Sequence, residues 1–217
     1  MTPLHRHQIA WLSRDGWQRL LHGDWDDEAR ACLWHWAEQR LPVVVTRQAP
    51  DDDAIALGLS APSRWSRRRL ALRVARADVL YFDEFPRLDK VVAQLPAAAR
   101  APARQLAAAL QGCCATARVY GSHGWQQLTG LNHVRDGSDV DLWVGVQDAE
   151  QADAVAAALH AFASSSCRLD GELVFPGDAA VAWREWLAWR AGRAKSLLVK
   201  RLHGAAMETW EPCEAFA

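Results

Sequence analysis

The chain has 217 residues, half of them hydrophobic and 24% charged, with a formal net charge of −1. That length suits one large or two small domains with a sizeable core. The balanced charge gives neither the basic footprint of a nucleic-acid binder nor an acidic disordered tail.

The first predicted element is a helix from about Asp26 to Arg40. Asp24, Asp26 and Asp27 supply N-cap candidates and negative charge for the positive helix end. Ala29, Cys32, Leu33, Trp36 and Ala37 follow the spacing of one buried helical face, and Pro42 ends the helix. Val43-Val44-Val45 reads as a short buried strand, and Asp51-Asp52-Asp53 as a solvated loop. Ala54 to Leu59 and Arg69 to Val74 read as two further strands, the second alternating Leu70, Leu72 and Val74 with Ala71 and Arg73. The basic cluster Arg67-Arg68-Arg69 between them is either a charged edge that discourages strand pairing or a clamp for phosphate. Val79 to Phe82 suggests another strand and Pro86 to Leu95 a helical stretch. Pro96, Ala97 to Ala101 and Pro102 make a composition break, placing a soft boundary between a domain of residues 1–96 and one of residues 97–217. Ala103 to Leu110 is helical, with Gly112 as its stop.

The second half alternates more regularly. Arg118 to Tyr120 is a strand, and Gly121-Ser122 turns into a helix from about Gly124 to Leu131. Val140 to Val146 is the next strand. Asp148 caps a helix running to about Phe162, with Val155, Leu159 and Phe162 on one face. Cys167 to Phe175 is a third strand, and Pro176-Gly177 turns the chain. Ala180 to Trp189 fits strand or helix equally. Lys195 to Leu202 reads as a short helix ended by Gly204. The order β-α-β-α-β implies a mixed sheet covered by helices, so the fold class is α+β, with a smaller α+β domain before it.

The 12 Trp exceed ordinary usage and are expected in core and interface positions. Five cysteines, Cys32, Cys113, Cys114, Cys167 and Cys213, form no C-x-x-C pair. The odd count and the adjacent Cys113-Cys114 argue against a disulfide framework and for a reducing cytoplasm. Met1 to Gln8 holds no apolar run that would serve as a signal peptide, and no 18-residue apolar stretch predicts a membrane span.

The chemistry concentrates between Val119 and Val144. Asp139 and Asp141 sit two apart at the head of a strand, so they point to one side while Val140, Leu142 and Val144 point into a core. Two carboxylates side by side repel unless a cation lies between them, and hard divalent cations prefer carboxylate oxygen. The strand carrying Asp170 and Glu172 offers a third acid of matching parity. One of the two adjoining Asp139 and Asp141 would complete a site for two Mg²⁺ (or Mn²⁺), roughly 3.5–4 Å apart, that stabilises an in-line displacement. Gly121 permits close backbone approach, Ser122 adds a hydroxyl, and the following helix offers unpaired N–H groups, which together suit phosphate. Lys195 and Lys200, with Arg201, are candidates to hold the leaving pyrophosphate, or else form a solvated face. His123 and His133 flank the central helix and are read as structural. No H-E-x-x-H, Walker, G-x-G-x-x-G or G-x-S-x-G motif occurs.

Gly121-Ser122, Trp125-Gln126-Gln127-Leu128-Thr129-Gly130-Leu131 and Ser138-Asp139-Val140-Asp141-Leu142 resemble the phosphoribosyl-dephospho-CoA transferase family of the malonate decarboxylase system, its holo-acyl-carrier-protein synthases. Asp170-Gly171-Glu172, Ala182-Trp183-Arg184-Glu185, Leu41-Pro42-Val43-Val44-Val45 and Ala56-Leu57-Gly58-Leu59 look similar too. Asn132-His133-Val134 departs from the pattern, where an aromatic residue is expected. The Gly-Ser and Asp-x-Asp core is shared with the wider nucleotidyltransferase superfamily. The resemblance implies transfer of 2′-(5″-triphosphoribosyl)-3′-dephospho-CoA to a serine of the acyl carrier protein subunit, with loss of pyrophosphate and no nucleic-acid or membrane partner. Two other readings stand beside it: a Mg²⁺-dependent nucleotidyltransferase using ATP, and a non-catalytic binding protein on the same fold.

Overall fold

The computed structural model describes residues 4–162 and 167–209, so Cys213 lies outside the described residues. The chain divides into two compact units, residues 1–85 with 125–134, and residues 86–124 with 135–217.

The first unit opens with β1 (Ile9–Leu12) and α1 (Arg14–Leu21), which had no counterpart in the sequence reading. Ser13 caps α1 by accepting from the Gly16 amide. The helix α2 (Asp27–Glu38) follows, capped by Asp26, whose side chain accepts from the Ala29 amide. Its inner face is Ala29, Cys32, Leu33 and Trp36, as the spacing predicts, while Ala37, expected with them, is only half-buried. Trp36 satisfies its indole N–H on the Pro42 carbonyl and meets Trp65 edge to face. The strands β2 (Val43–Val45), β3 (Ala54–Ser60), β4 (Arg69–Ala75) and β5 (Val79–Asp83) complete an antiparallel sheet in the order β4-β3-β2-β1-β5. Leu70, Leu72 and Val74 are buried and their neighbours on β4 exposed, so the period-2 pattern marks the core face directly. Asp52 leaves the solvated loop to accept from the Ala54 amide and pair with Arg73. In the basic cluster, Arg68 pairs with Asp26 and Glu28, and Arg67 donates to the Ser63 hydroxyl.

The second unit begins with the short α3 (Leu88–Val91), continued by a 3₁₀ turn, and then α4 (Ala97–Gly112). Helix α4 starts six residues before Ala103 and carries Pro102 in its second turn. Next come β6 (Thr116–Tyr120), α5 (Gly121–Thr129), β7 (Val140–Gly145), α6 (Ala149–His160) and β8 (Leu169–Phe175). The stretch that fitted strand or helix is both, with β9 (Ala179–Ala182) running into α7 (Trp183–Arg190). Two strands close the unit, β10 (Leu197–Lys200) and β11 (Ala205–Glu208). The helix expected over Lys195–Leu202 is therefore a strand. The apolar positions there, Leu197 and Val199, recur every second residue and are fully buried, which is a strand's period. The sheet order is β11-β10-β9-β8-β7-β6, mixed through one parallel pair, β7 with β8. One face buries Val140, Leu142, Val144, Leu169, Leu173, Val181, Leu197 and Val199 in a core shared with α3, α4, α6 and α7. Leu88, Val91, Val92 and Leu95 belong to that core, so the second unit begins at Pro86, before the Pro96 break.

Gly171 sits at the tightest point of this sheet. Its φ is +136°, and a Cβ there would collide with the backbone of Leu142 on the paired strand. Gly171→Ala is expected to lower unfolding stability by roughly 3 kcal/mol through steric clash and left-handed strain. Urea denaturation followed by far-UV circular dichroism measures the loss.

Candidate active site

The site is built where β6, β7 and β8 lie side by side. The strand register sets Tyr120 opposite Asp141 and Asp141 opposite Asp170. Side chains at paired positions emerge on one face of a sheet. Asp141 and Asp170 therefore share the face opposite the Val140, Leu142 and Val144 core, as the alternation predicts. The chain passes from Tyr120 on β6 straight into α5 at Gly121, with φ at +61°. A Cβ on Gly121 would meet the Asp141 carboxylate, so the glycine is required by two independent facts, its left-handed backbone and the carboxylate against it. Helix α5 thus starts at Gly121 rather than near Gly124, and Ser122 lies within its first turn.

The acids divide into two sets. Asp141 is largely removed from solvent, and its carboxyl is pushed up to about 6, first by burial and then by the charges of Asp170 and Asp139. Asp139, Asp141 and Asp170 thus act as one electrostatic group. Asp139 is gripped by the Arg168 guanidinium, whose Nε donates to Oδ1 at 3.1 Å and whose terminal nitrogen donates to Oδ2 at 2.5 Å. Asp170 is exposed and accepts from the Gly171 amide at 2.9 Å. Among the described residues no three His, Cys, Asp or Glu side chains gather closely enough to enclose a metal ion. The donors are nonetheless hard oxygens, and mutual repulsion raises Asp141's proton affinity. That chemistry fits a Mg²⁺- or Mn²⁺-type cation.

Glu172 belongs to the second set. It shares the face of Asp170, but it is buried and its Oε1 accepts from Lys200 Nζ at 2.7 Å. The candidate metal ligand and the candidate phosphate ligand here neutralise one another. Lys195 is exposed in the loop before β10.

Two neighbours were given no part in the site from the sequence. Arg168 lies two residues before Asp170, and nothing in its local pattern distinguished a strand-entry arginine from a solvated one. His123, read as structural, is 1% exposed, with Nδ1 lacking a hydrogen-bond partner. Burial lowers its proton affinity, and a hydrogen bond to the Ser138 backbone opposes the shift. It therefore ties α5 to the residue before Asp139. The segment from Trp125 to Val134 belongs to the first unit. There Trp125 meets Phe85 edge to face and stacks on His133, while Gln126 accepts from the His133 and Val134 amides.

The chain has a two-domain α+β architecture in which α5 leaves β6 beside Asp141. Residues 5–85 match the model of the phosphoribosyl-dephospho-CoA transferase MdcG N-terminal domain, and residues 87–211 that of its C-terminal domain. The chain is 36% identical to a phosphoribosyl-dephospho-CoA transferase of Xanthomonas euvesicatoria, over 90% of this chain and 89% of that protein. A Bradyrhizobium diazoefficiens protein of the same name is 34% identical, over 92% and 88%, and one from Pseudomonas fluorescens 30%, over 81% and 83%. No solved structure matches. The chain belongs to the phosphoribosyl-dephospho-CoA transferase family and is an enzyme, which removes the non-catalytic reading.

The raised Asp141 carboxyl makes stability depend on pH. The folded protein holds this proton to about pH 6, whereas the unfolded chain releases it near 3.8. The contribution is complete below about pH 4 and is lost as pH rises through about 6. In chelator, the wild type is expected to lose stability relative to Asp141→Asn between pH 4 and pH 7, by at most about 3 kcal/mol. Paired urea titrations across that range check the sign.

Proposed function

We propose that this enzyme transfers the phosphoribosyl-dephospho-CoA group from its 5″-triphosphate to a serine of the malonate decarboxylase acyl carrier subunit. The observation that carries the reading is Asp141 and Asp170 on adjacent strands, with Asp139 just before β7, beside the Gly121-Ser122 start of α5. The serine oxygen attacks the α-phosphorus, and its proton passes to Asp170, the exposed member of the group. The bond from the α-phosphorus to its bridging oxygen breaks, pyrophosphate leaves, and a phosphodiester remains. Asp141 and Asp170, with Asp139 once Arg168 releases it, would hold Mg²⁺ or Mn²⁺, which supplies charge neutralisation at the α-phosphate. Ser122 and the first amides of α5 bind the outer phosphates. Lys195, exposed before β10, faces the departing charge. Glu172, on the same face, is paired with Lys200, so Asp170 serves as the third acid. Family membership and the free thiols of Cys32, Cys113 and Cys114 among the described residues support work in a reducing cytoplasm.

Purified enzyme, apo carrier subunit, triphosphoribosyl-dephospho-CoA and Mg²⁺ are expected to give a carrier heavier by the prosthetic group in mass spectrometry. Asp141→Asn and Asp170→Asn are each expected to lower the rate by about 1,000-fold. An unmodified carrier sinks the reading, as does full activity in an Asp139→Ala, Asp141→Ala double variant. Adenylylation of the carrier by ATP in the same mixture would favour the ATP-dependent alternative.

A further inference from the structure

The first unit carries a groove of about 890 Å³ that the reaction does not use. Its floor is Leu12, Trp17 and Leu21, and its walls are Trp34 and Ala37 of α2 and Leu80 of β5. Trp34 is 62% exposed and Leu80 65%. The opposite face of α2 already fills the unit's interior with Ala29, Cys32, Leu33 and Trp36, so Trp34 is not part of that core. Large apolar side chains left open side by side and rimmed by polar groups mark an interaction surface.

The rim is cationic. Arg14, Arg30 and Arg40 line it together with His22, against one carboxylate, Glu38. All three arginines are exposed, and none pairs with a carboxylate among the described residues. Arg30 donates to the main-chain carbonyls of Leu21 and Trp25, which fixes its position and leaves its charge whole. This occurs in a chain whose net charge is −1, so the positive charge is local.

A nucleotide would fit poorly. Phosphate is gathered by a convergent set of donors, commonly a helix N-terminus. Here the arginines stand apart, at the start of α1, in the first half of α2 and beyond its end. The N-termini of both helices are already occupied by their own caps, Ser13 and Asp26. An apolar trough with a tryptophan and a leucine as anchors and a spread basic rim matches the face of an amphipathic helix with acidic flanks. We propose that this groove docks such a helix of an acidic partner protein. Resting on the function proposed above, that partner is the acyl carrier subunit.

The test uses the full-length enzyme, with apo carrier subunit as probe, in wild type, in the double variant Arg14→Glu, Arg40→Glu, and in Trp34→Ala. All three substituted side chains are exposed, and thermal melts confirm that the variants fold. Calorimetric titration without donor is expected to show carrier binding weakened roughly tenfold or more in each variant. Binding to the wild type should weaken with added salt, and binding to the charge-reversed variant should weaken less. In steady-state transfer, KM for the carrier rises while KM for the donor and kcat hold. Carrier binding or carrier KM unchanged in both variants overturns the proposal, as does a rise in donor KM alone, which would give the groove to the nucleotide. Carrier that binds wild type through the groove without being modified would defeat the transfer reading and leave the docking intact. Carrier that fails to bind wild type defeats the docking.

Discussion

Everything in the catalytic unit depends on how closely Asp141 approaches the backbone at Gly121. Strand β7 must bury Val140, Leu142 and Val144 on one side, which forces Asp141 to the other. Strand β6 pairs with it antiparallel, so the chain leaves β6 beside that carboxylate. Only a residue without a side chain can turn there, and the turn must open directly into α5 for the helix's first amides to lie near the acids. The parallel neighbour β8 then brings Asp170 alongside. The hydrophobic core, the glycine turn and the acid group are consequences of one strand's alternation.

That dependence explains what the sequence disclosed. Period-2 runs such as Leu70–Leu72–Val74 and Val140–Leu142–Val144, and capped amphipathic segments such as Asp26 to Trp36, carry their structure in local spacing, and they appear as read. Asp141 and Asp170 share a face as parity predicts, but parity gives Glu172 that same face and does not choose between the two acids of β8. Long-range pairing leaves no such mark. Nothing local says that Lys200 spans to Glu172 or that Arg168 holds Asp139, because each contact joins residues 28 or 29 positions apart. The stretch before Lys200 holds only two alternating buried apolar residues, Leu197 and Val199, a period-2 signal that becomes decisive only once the strand is paired in the sheet. Strand β1 and helix α1 are short, four and eight residues, and α1 holds a glycine, Gly16, so neither shows a clear local period.

The segment that most narrows the family also changes meaning. Trp125, Gln126, Thr129 and His133 form a clasp. The indole stacks on the imidazole, the Gln126 amide oxygen collects two main-chain N–H groups, and the Thr129 hydroxyl donates to the Trp125 carbonyl and contacts the imidazole. Burial, with Arg67 adding a smaller effect, keeps His133 neutral, its proton affinity lowered to about 4. These residues shape the loop after α5 through satisfied buried polar groups. Their role is architectural, and in the function proposed above the chemistry falls to the acids of the second unit.

Glu172 and Lys200 stand on β8 and β10, separated by β9, whose residues in the corresponding rows are Ala182 and Ala180. The lysine stem crosses that intervening strand because both side chains are single methyl groups. Removing Lys200 would take the ammonium from a buried carboxylate, whereas Lys200 itself is partly exposed, and a bulky side chain on β9 would block the bridge. Positions 172, 180, 182 and 200 therefore form one unit of inheritance. Among relatives, an apolar residue at 200 should travel with loss of the acid at 172, and only then is β9 free to carry larger side chains.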